Sequence, residues 1–80
     1  MSKYTVYILL TSGGTLYTGQ TNNLSRRLEK HKNGSGAKYL RMFKSFELVY
    51  EESVATLSQA LQREREIKKL SRSAKLELVK

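Results

Sequence analysis

The fold is decided by residues Tyr4 to Gly19, which read YTVYILLTSGGTLYTG. The first part, Tyr4–Thr11, is rich in the aromatic and β-branched residues that favour strands. The next three residues, Ser12 to Gly14, are typical of a turn. We therefore predict a β-hairpin whose second arm runs from Thr15 to Gln20.

The turn determines which side chains share a face of this hairpin. A loop of odd length, with Gly14 in the left-handed conformation that glycine adopts without strain, pairs Leu9 with Tyr17 and Tyr7 with Gly19. Because side chains alternate between faces along a strand, the hydroxyls of Tyr7 and Tyr17 then reach one pocket, which Gly19 leaves unobstructed. A plain two-residue turn would separate the two tyrosines.

Length and composition bound the class of protein. The chain has 80 residues, so we expect one domain, 1–80, that buries only roughly 60% of the surface exposed by its unfolded chain. It contains no cysteine, which excludes a disulfide framework and a thiolate metal site and suits a reducing cytoplasm. Its apolar runs are shorter than the ~18 residues needed to span a bilayer. We therefore expect a cytoplasmic protein with no membrane partner, and the oligomeric state stays open.

The chain is strongly basic, with 15 Lys and Arg residues, 7 acidic residues and a net charge of +8. A small domain this basic usually binds polyanions. We favour nucleic acid over membrane because no long basic amphipathic helix with an aromatic face is present, and incidental basicity is the alternative. The cations Lys38, Arg41 and Lys44 are interleaved with aromatic residues, which suits a phosphate backbone, although a solvated loop would look similar.

Capping residues and helical periodicity predict three helices. Residues Leu24–Lys32 form a helix that begins after the capping segment Thr21 to Asn23 and ends at Asn33 and Gly34. Thr56 has capping-box spacing to Gln59 and opens a second long helix. A short closing helix covers Ala74–Val79.

The third strand of the sheet is predicted from alternation. Residues Phe46–Glu52 place Phe46, Leu48 and Tyr50 on one face and more polar residues on the other. The predicted fold class is α+β, with a three-stranded antiparallel sheet flanked by helices.

Both long helices carry charged or titratable residues where an apolar stripe belongs. In the first helix, Arg27 and His31 occupy two of the four stripe positions. In the second, Glu64 lies near the centre of the stripe formed by Leu57, Ala60, Leu61 and Ile67. The simpler explanations are an edge arginine, a hydrogen-bonded core histidine, and a salt bridge from Glu64 to Arg27 or Lys68.

Together these anomalies predict one polar site in a shallow cleft, lined by Tyr7, Tyr17, Arg27, His31 and Glu64. One carboxylate can hold one hydrated divalent cation, Mg²⁺ or Mn²⁺, because oxygen is the only ligand type on offer. An arginine can stabilise a transferring phosphate, and a tyrosine whose pKa is lowered by its neighbours can orient or deprotonate water. The set predicts one-metal phosphodiester hydrolysis.

Four segments in order resemble the motifs of the GIY-YIG endonuclease superfamily, in particular its small standalone single-domain bacterial members. They are Thr5-Val6-Tyr7, Tyr17-Thr18-Gly19, the segment Asn23 to His31, and the segment Ala60 to Lys68. The segment Gly36-Ala37-Lys38-Tyr39 matches those small members as well. Thr5 and Thr18 replace a glycine and an isoleucine of the pattern, and no asparagine is found around Lys75 and Leu76, where many nucleases of the superfamily have one.

The resemblance implies a three-stranded antiparallel sheet flanked by helices and cleavage of DNA with one divalent metal. It implies that Tyr7 activates or positions the attacking water, with Tyr17 nearby and His31 hydrogen-bonded into the same network. It also implies that Arg27 binds the scissile phosphate and that Glu64 holds the metal. A binding module that does not cleave is the alternative, and an interaction subunit of a larger DNA-processing assembly is a third hypothesis.

Overall fold

The computed structural model describes residues 3–34 and 45–79. Three strands form an antiparallel sheet in the order β2-β1-β3, so β1 is central. This confirms the predicted α+β fold with a three-stranded antiparallel sheet. The elements are β1 (Tyr4–Thr11), β2 (Leu16–Thr21), α1 (Leu24–Lys32), β3 (Phe46–Val54), α2 (Leu57–Lys68) and α3 (Arg72–Leu78).

The β1–β2 hairpin has the predicted register. The amide of Thr11 donates to the carbonyl of Thr15 at 2.9 Å, and Gly14 has a φ of 83°. That left-handed conformation is open to glycine without strain, so Gly14 sets the odd length of the loop. Tyr7 consequently pairs with Gly19. Strand β2 begins and ends one residue later than predicted.

Strand β3 corrects the predicted face assignment. Ile8 pairs with Tyr50 but Leu9 pairs with Leu48, so Val49 is an extra residue in a β-bulge. The bulge shifts the alternation, and Tyr50 lies on the opposite face from Phe46 and Leu48. The prediction that all three share a face is therefore wrong. The strand also continues two residues beyond the predicted end at Glu52.

The two faces of the sheet pack against different helices. On one face, Tyr7 and Leu9 pack with Leu24 and Leu28 of α1. On the other face, Val6 and Ile8 form a core with Ala60 and Ile67 of α2, joined by Leu78 of α3. The sheet therefore separates the residues of α1 from most of those of α2.

The helices begin at side-chain caps, as their sequences indicate. Asn23 caps α1 by accepting a hydrogen bond from the amide of Arg26, and Thr56 forms a complete capping box with Gln59 at the start of α2. Ser71 caps α3, which begins at Arg72 and not at the predicted Ala74. The Ser71 cap therefore starts the helix two residues before the predicted position.

Only part of the predicted apolar stripe of α2 is buried. Ala60 and Ile67 are fully buried, whereas Leu57 and Leu61 are 44% and 40% exposed. Across residues 3–34 and 45–79, every helix is too short and too polar to cross a membrane.

Candidate active site

Tyr7 and His31 form the centre of the site. Tyr7 stands in the middle of β1 and is 1% exposed, and His31 lies in the last turn of α1 and is also buried. The Tyr7 hydroxyl is 2.9 Å from Nε2 of His31. When Nε2 carries no proton, the tyrosine hydroxyl donates this hydrogen bond. The predicted participation of His31 in a network with the tyrosine is thus seen directly.

Two further aromatic rings complete the cluster. The ring centroid of Tyr17 is 6.4 Å from that of Tyr7 and 5.8 Å from that of His31. Phe46 meets the His31 ring edge-on at 6.0 Å. The prediction that Tyr7 and Tyr17 share a face is confirmed. The sequence predicts Phe46 only as a strand residue, although its aromatic character at the start of β3 is visible there.

Burial raises the pKa of Tyr7 strongly. The neighbouring Tyr17 and the charge of Glu64 raise it further, and only the Arg27 guanidinium acts in the other direction. The expectation that neighbours lower the pKa of a site tyrosine is therefore wrong for Tyr7, because desolvation disfavours the phenolate. At neutral pH the Tyr7 hydroxyl keeps its proton.

His31 is shifted toward the neutral form. Burial lowers the pKa of His31, and the positive charge of Arg27 lowers it further. A neutral imidazole has one ring nitrogen without a proton, so Nε2 can accept the hydroxyl proton of Tyr7. The pair is therefore arranged as a donor and an acceptor at neutral pH.

Arg27 connects this cluster to a basic groove at the start of α1. The groove has a volume of about 380 Å³ and opens to solvent. We call it the α1 groove. Its lining consists of Thr21, Asn22, Asn23, Arg26, Arg27 and Lys30.

Glu64 lies on α2 and acts on the site through its charge. Its side chain is only 19% exposed, and its charge raises the pKa of Tyr7. Its carboxylate lies 2.7 Å from Nζ of Lys68, which is one of the two salt bridges that the sequence left open. Glu64 lines a hollow of about 180 Å³ with Leu61, Arg65 and Lys68, and Arg27 lines the α1 groove.

The oxygen ligands for a metal are few. Within residues 3–34 and 45–79, no group of three histidine or carboxylate side chains is placed to hold an ion. A single carboxylate suits a hydrated Mg²⁺ or Mn²⁺, which keeps most of its water ligands. Glu64 fits that requirement because Lys68, whose side chain is 56% exposed, has room to move aside.

The cations around the candidate site include residues that the sequence did not single out. Lys38, Arg41 and Lys44 lie outside the described residues, so their role as nucleic-acid contacts stays a prediction. Arg26 and Lys30 are absent from the predicted site, yet they line the same groove as Arg27. Their spacing of four residues on a predicted helix, beside a candidate phosphate ligand, was the available signal.

Comparison with known proteins places the chain in a family. The family described as the GIY-YIG catalytic domain, a nuclease family, matches residues 3–77. A UPF0213 protein of Staphylococcus saprophyticus is 46% identical over 79 residues, covering 99% of this chain and 96% of that protein. A UPF0213 protein of Staphylococcus aureus strain N315 is also 46% identical, over 80 residues, covering 100% of this chain and 98% of the relative.

Solved structures give the same result. The solution NMR structure of the UPF0213 protein BH0048 from Bacillus halodurans has a TM-score of 0.63 and 42% identity, covering 96% of this chain and 82% of that one. The solution NMR structure of EF2693 from E. faecalis has a TM-score of 0.66 and 36% identity, with 94% and 80% covered. The chain therefore belongs to the GIY-YIG family and, within it, to the UPF0213 proteins.

Proposed function

We propose that the protein is an endonuclease that hydrolyses DNA phosphodiester bonds with the aid of one divalent metal ion, Mg²⁺ or Mn²⁺. The observation that carries the proposal is the buried hydrogen bond between Tyr7 and His31, on whose tyrosine the charges of Arg27 and Glu64 both act. Buried titratable groups that perturb one another are typical of catalytic sites. Membership of a nuclease family supports this interpretation.

The tyrosine and the histidine would act as a proton relay. The raised pKa of Tyr7 makes a free phenolate unfavourable, so Tyr7 serves poorly as a base on its own. A relay through His31 avoids forming the free phenolate. As the hydroxyl oxygen of Tyr7 takes a proton from the attacking water, the Tyr7 proton passes to Nε2 of His31, 2.9 Å away.

Access to the relay is provided beside Tyr17. Tyr7 is buried, whereas Tyr17 in the same cluster is partly exposed, so the attacking water would enter past Tyr17. The hydroxide that forms attacks phosphorus, the bond to the leaving sugar oxygen breaks, and that oxygen takes a proton from solvent.

Phosphate binding at Arg27 would strengthen the base at the end of the relay. In the free protein the charge of Arg27 contributes to lowering the pKa of His31. A phosphate that pairs with the guanidinium offsets this charge, so the pKa of His31 rises when substrate is bound. Substrate therefore increases the capacity of His31 to accept the Tyr7 proton.

Glu64 would hold the metal ion, and its Lys68 partner would turn toward solvent. When bound, the hydrated ion supplies positive charge for the leaving oxygen. Before the ion binds, the Glu64 carboxylate raises the pKa of Tyr7 and helps to keep the hydroxyl protonated.

The test is nicking of supercoiled plasmid and of branched DNA by the purified protein with Mg²⁺ or Mn²⁺. We expect nicking that stops when the metal is chelated and is absent from Glu64→Ala purified in the same way. Equal nicking by wild type and Glu64→Ala would identify a contaminating nuclease and contradict the proposal.

A nucleic-acid-binding module that does not cleave is the second candidate. The 2.7 Å ion pair between Glu64 and Lys68 favours it, because this pairing satisfies the carboxylate without a metal. Strong DNA binding by a protein without metal-dependent nicking would support this function.

A further inference from the structure

The α1 groove concentrates positive charge where a helix does not favour it. Its cations Arg26 and Arg27 lie in the first turns of α1, whose first turn contains no acidic residue. Helix N-termini carry partial positive charge and are stabilised by acidic side chains, so two arginines there oppose helix stability. Arg26 and Lys30 are also one turn apart, a spacing at which like charges destabilise a helix. This placement indicates a function for the cations other than support of the fold.

The groove has the size and lining of a site for a phosphate backbone. Its volume of about 380 Å³ lies within the roughly 300–1,000 Å³ typical of ligand sites. Among the described residues, the groove lining includes no acidic and no aromatic side chain. A surface without aromatic rings lacks the side chains on which bases stack best, whereas arginine and lysine bind phosphate oxygens directly.

Two neutral side chains of the groove, those of Thr21 and Asn23, hold the loop that precedes α1. The hydroxyl of Thr21 accepts a hydrogen bond from the amide of Asn23 at 3.1 Å, and Oδ1 of Asn23 accepts one from the amide of Arg26 at 3.1 Å. These bonds fix the entry into α1. Arg26 and Lys30, two of the three cations that line the groove, are exposed to solvent.

One residue, Arg27, belongs to the groove and also acts on the cluster around Tyr7 and His31. Arg27 lines the groove, and its charge also acts on Tyr7 and His31 on the inner side of α1. Arg26 and Lys30 line the same groove as Arg27, so a strand whose scissile phosphate binds Arg27 would have these two cations beside it.

We propose that the α1 groove is a subsite for the sugar–phosphate backbone of nucleic acid, in which Arg26 and Lys30 bind the phosphates that neighbour the scissile phosphate. The proposal rests on the proposed function for the assignment of the scissile phosphate to Arg27. Because the subsite contacts the backbone only, it contributes affinity that is independent of base sequence.

The test compares two double variants that each remove two positive charges. Arg26→Gln/Lys30→Gln changes the groove, and Lys69→Gln/Arg72→Gln changes two exposed cations that do not line it. Binding of a fluorescent duplex of about 20 base pairs is measured by anisotropy without metal between about 50 and 200 mM salt. Circular dichroism melts establish that both variants are folded.

We expect the groove variant to bind about tenfold more weakly, with a salt slope reduced by about 1.8, since each lost phosphate contact removes about 0.9 from that slope. The control variant is expected to lose less than half of this, and unrelated duplex sequences should give the same result. Equal losses in the two variants, or wild-type binding by the groove variant, would overturn the proposal.

The readouts separate the subsite from catalysis. If wild type fails to nick but the groove variant alone loses binding, the nuclease proposal fails and the subsite stands. If wild type nicks but the groove variant binds and nicks normally, the subsite fails and the nuclease proposal stands.

Discussion

The Tyr7 hydroxyl occupies the space that a side chain on Gly19 would need. A Cβ added to Gly19 would lie 2.6 Å from the hydroxyl oxygen and 2.8 Å from the ring carbon that bears it. The two residues pair across β1 and β2, so their relative positions are fixed by the sheet. The absence of a side chain at Gly19 therefore lets a buried tyrosine reach His31.

We expect Gly19→Ala to lower the free energy of unfolding by about 1–3 kcal/mol, because a methyl group forced into a packed core displaces its neighbours. Displacement of Tyr7 should also break its hydrogen bond to His31 and lower nicking. The measurement is a double-mutant cycle with Tyr7→Phe, read by urea unfolding. Removing the hydroxyl relieves the shorter contact, so Gly19→Ala should lower the free energy of unfolding less in a Tyr7→Phe background than in wild type. An equal destabilisation by Gly19→Ala with and without Tyr7→Phe would show that the hydroxyl does not limit the space at position 19.

We expect Thr18→Val to raise the free energy of unfolding by about 1 kcal/mol. Among the described residues, the buried Thr18 hydroxyl has no hydrogen-bond partner, and an unsatisfied buried hydroxyl destabilises a fold. Thr11→Val is the matched control, because Thr11 is equally buried but its hydroxyl lies 2.7 Å from that of Thr15. The control should be destabilised by about 1 kcal/mol. Destabilisation of both variants would contradict the account of Thr18.

The pKa of His31 should lie below its ordinary value of about 6.5 and should rise, without reaching that value, in Arg27→Gln. Removing the guanidinium removes one of the two causes of the shift, while burial remains. NMR titration of the imidazole protons resolves this directly, since the chain has a single histidine. A pKa that is unchanged by the substitution would show that Arg27 does not act on His31.

The same shift predicts how stability depends on pH. Because folding lowers the pKa of His31, the folded state binds fewer protons than the unfolded state between that pKa and about 6.5. The contribution of His31 to the free energy of unfolding is fully present above about pH 6.5. It is lost as the pH falls through the pKa that His31 has in the folded protein. Urea unfolding should show this loss in wild type and not in His31→Gln. A loss of equal size in both proteins would assign it to carboxylates.

Glu52 should matter more to stability than its neighbour Glu66. The Glu52 carboxylate accepts a hydrogen bond from Tyr50 at 2.6 Å and one from Arg63 at 3.0 Å. Burial alone would raise the pKa of Glu52, but these hydrogen bonds and the charge of Arg63 outweigh it and lower the pKa. The ionised Glu52 carboxylate therefore stabilises the protein at pH values above the ordinary pKa of glutamate. This stabilisation is lost as the pH falls through the lowered pKa of Glu52.

At neutral pH we expect Glu52→Gln to lower the free energy of unfolding by about 1–3 kcal/mol. Glu66→Gln is the control, because Glu66 pairs with the same Arg63 but its side chain is 53% exposed. Such pairs contribute between zero and about 1 kcal/mol. Thermal unfolding of the two variants side by side shows which substitution destabilises the protein more. A larger loss of stability from Glu66→Gln would contradict the prediction.

The features that sequence could predict are those set by local chemistry. The hairpin register follows from the length of the turn and the handedness of Gly14, and both tyrosines take their places from it. The N-caps Asn23 and Thr56 act on amides three residues ahead, so they too are visible along the chain.

The features that sequence could not predict depend on distant partners. The bulge at Val49 arises from the pairing of β3 with β1, and no local pattern reveals it. Helical periodicity places Leu57 and Leu61 on the apolar face of α2. It does not reveal that both side chains stay partly exposed in the folded protein. The raised pKa of Tyr7 follows mainly from the depth of its burial, which only the folded chain defines.

The rate of Mg²⁺-dependent nicking by Glu64→Gln, measured beside Lys68→Gln, tests the central claim most directly. The two substitutions break the same 2.7 Å ion pair from opposite sides. If Glu64 serves catalysis, Glu64→Gln loses nicking by at least about a hundredfold, since a residue that acts in the transition state affects the rate. Lys68→Gln should then keep activity near that of wild type. Equal rates for the two variants, with a matching loss of thermal stability, would show that the glutamate only supports the fold and would contradict the account.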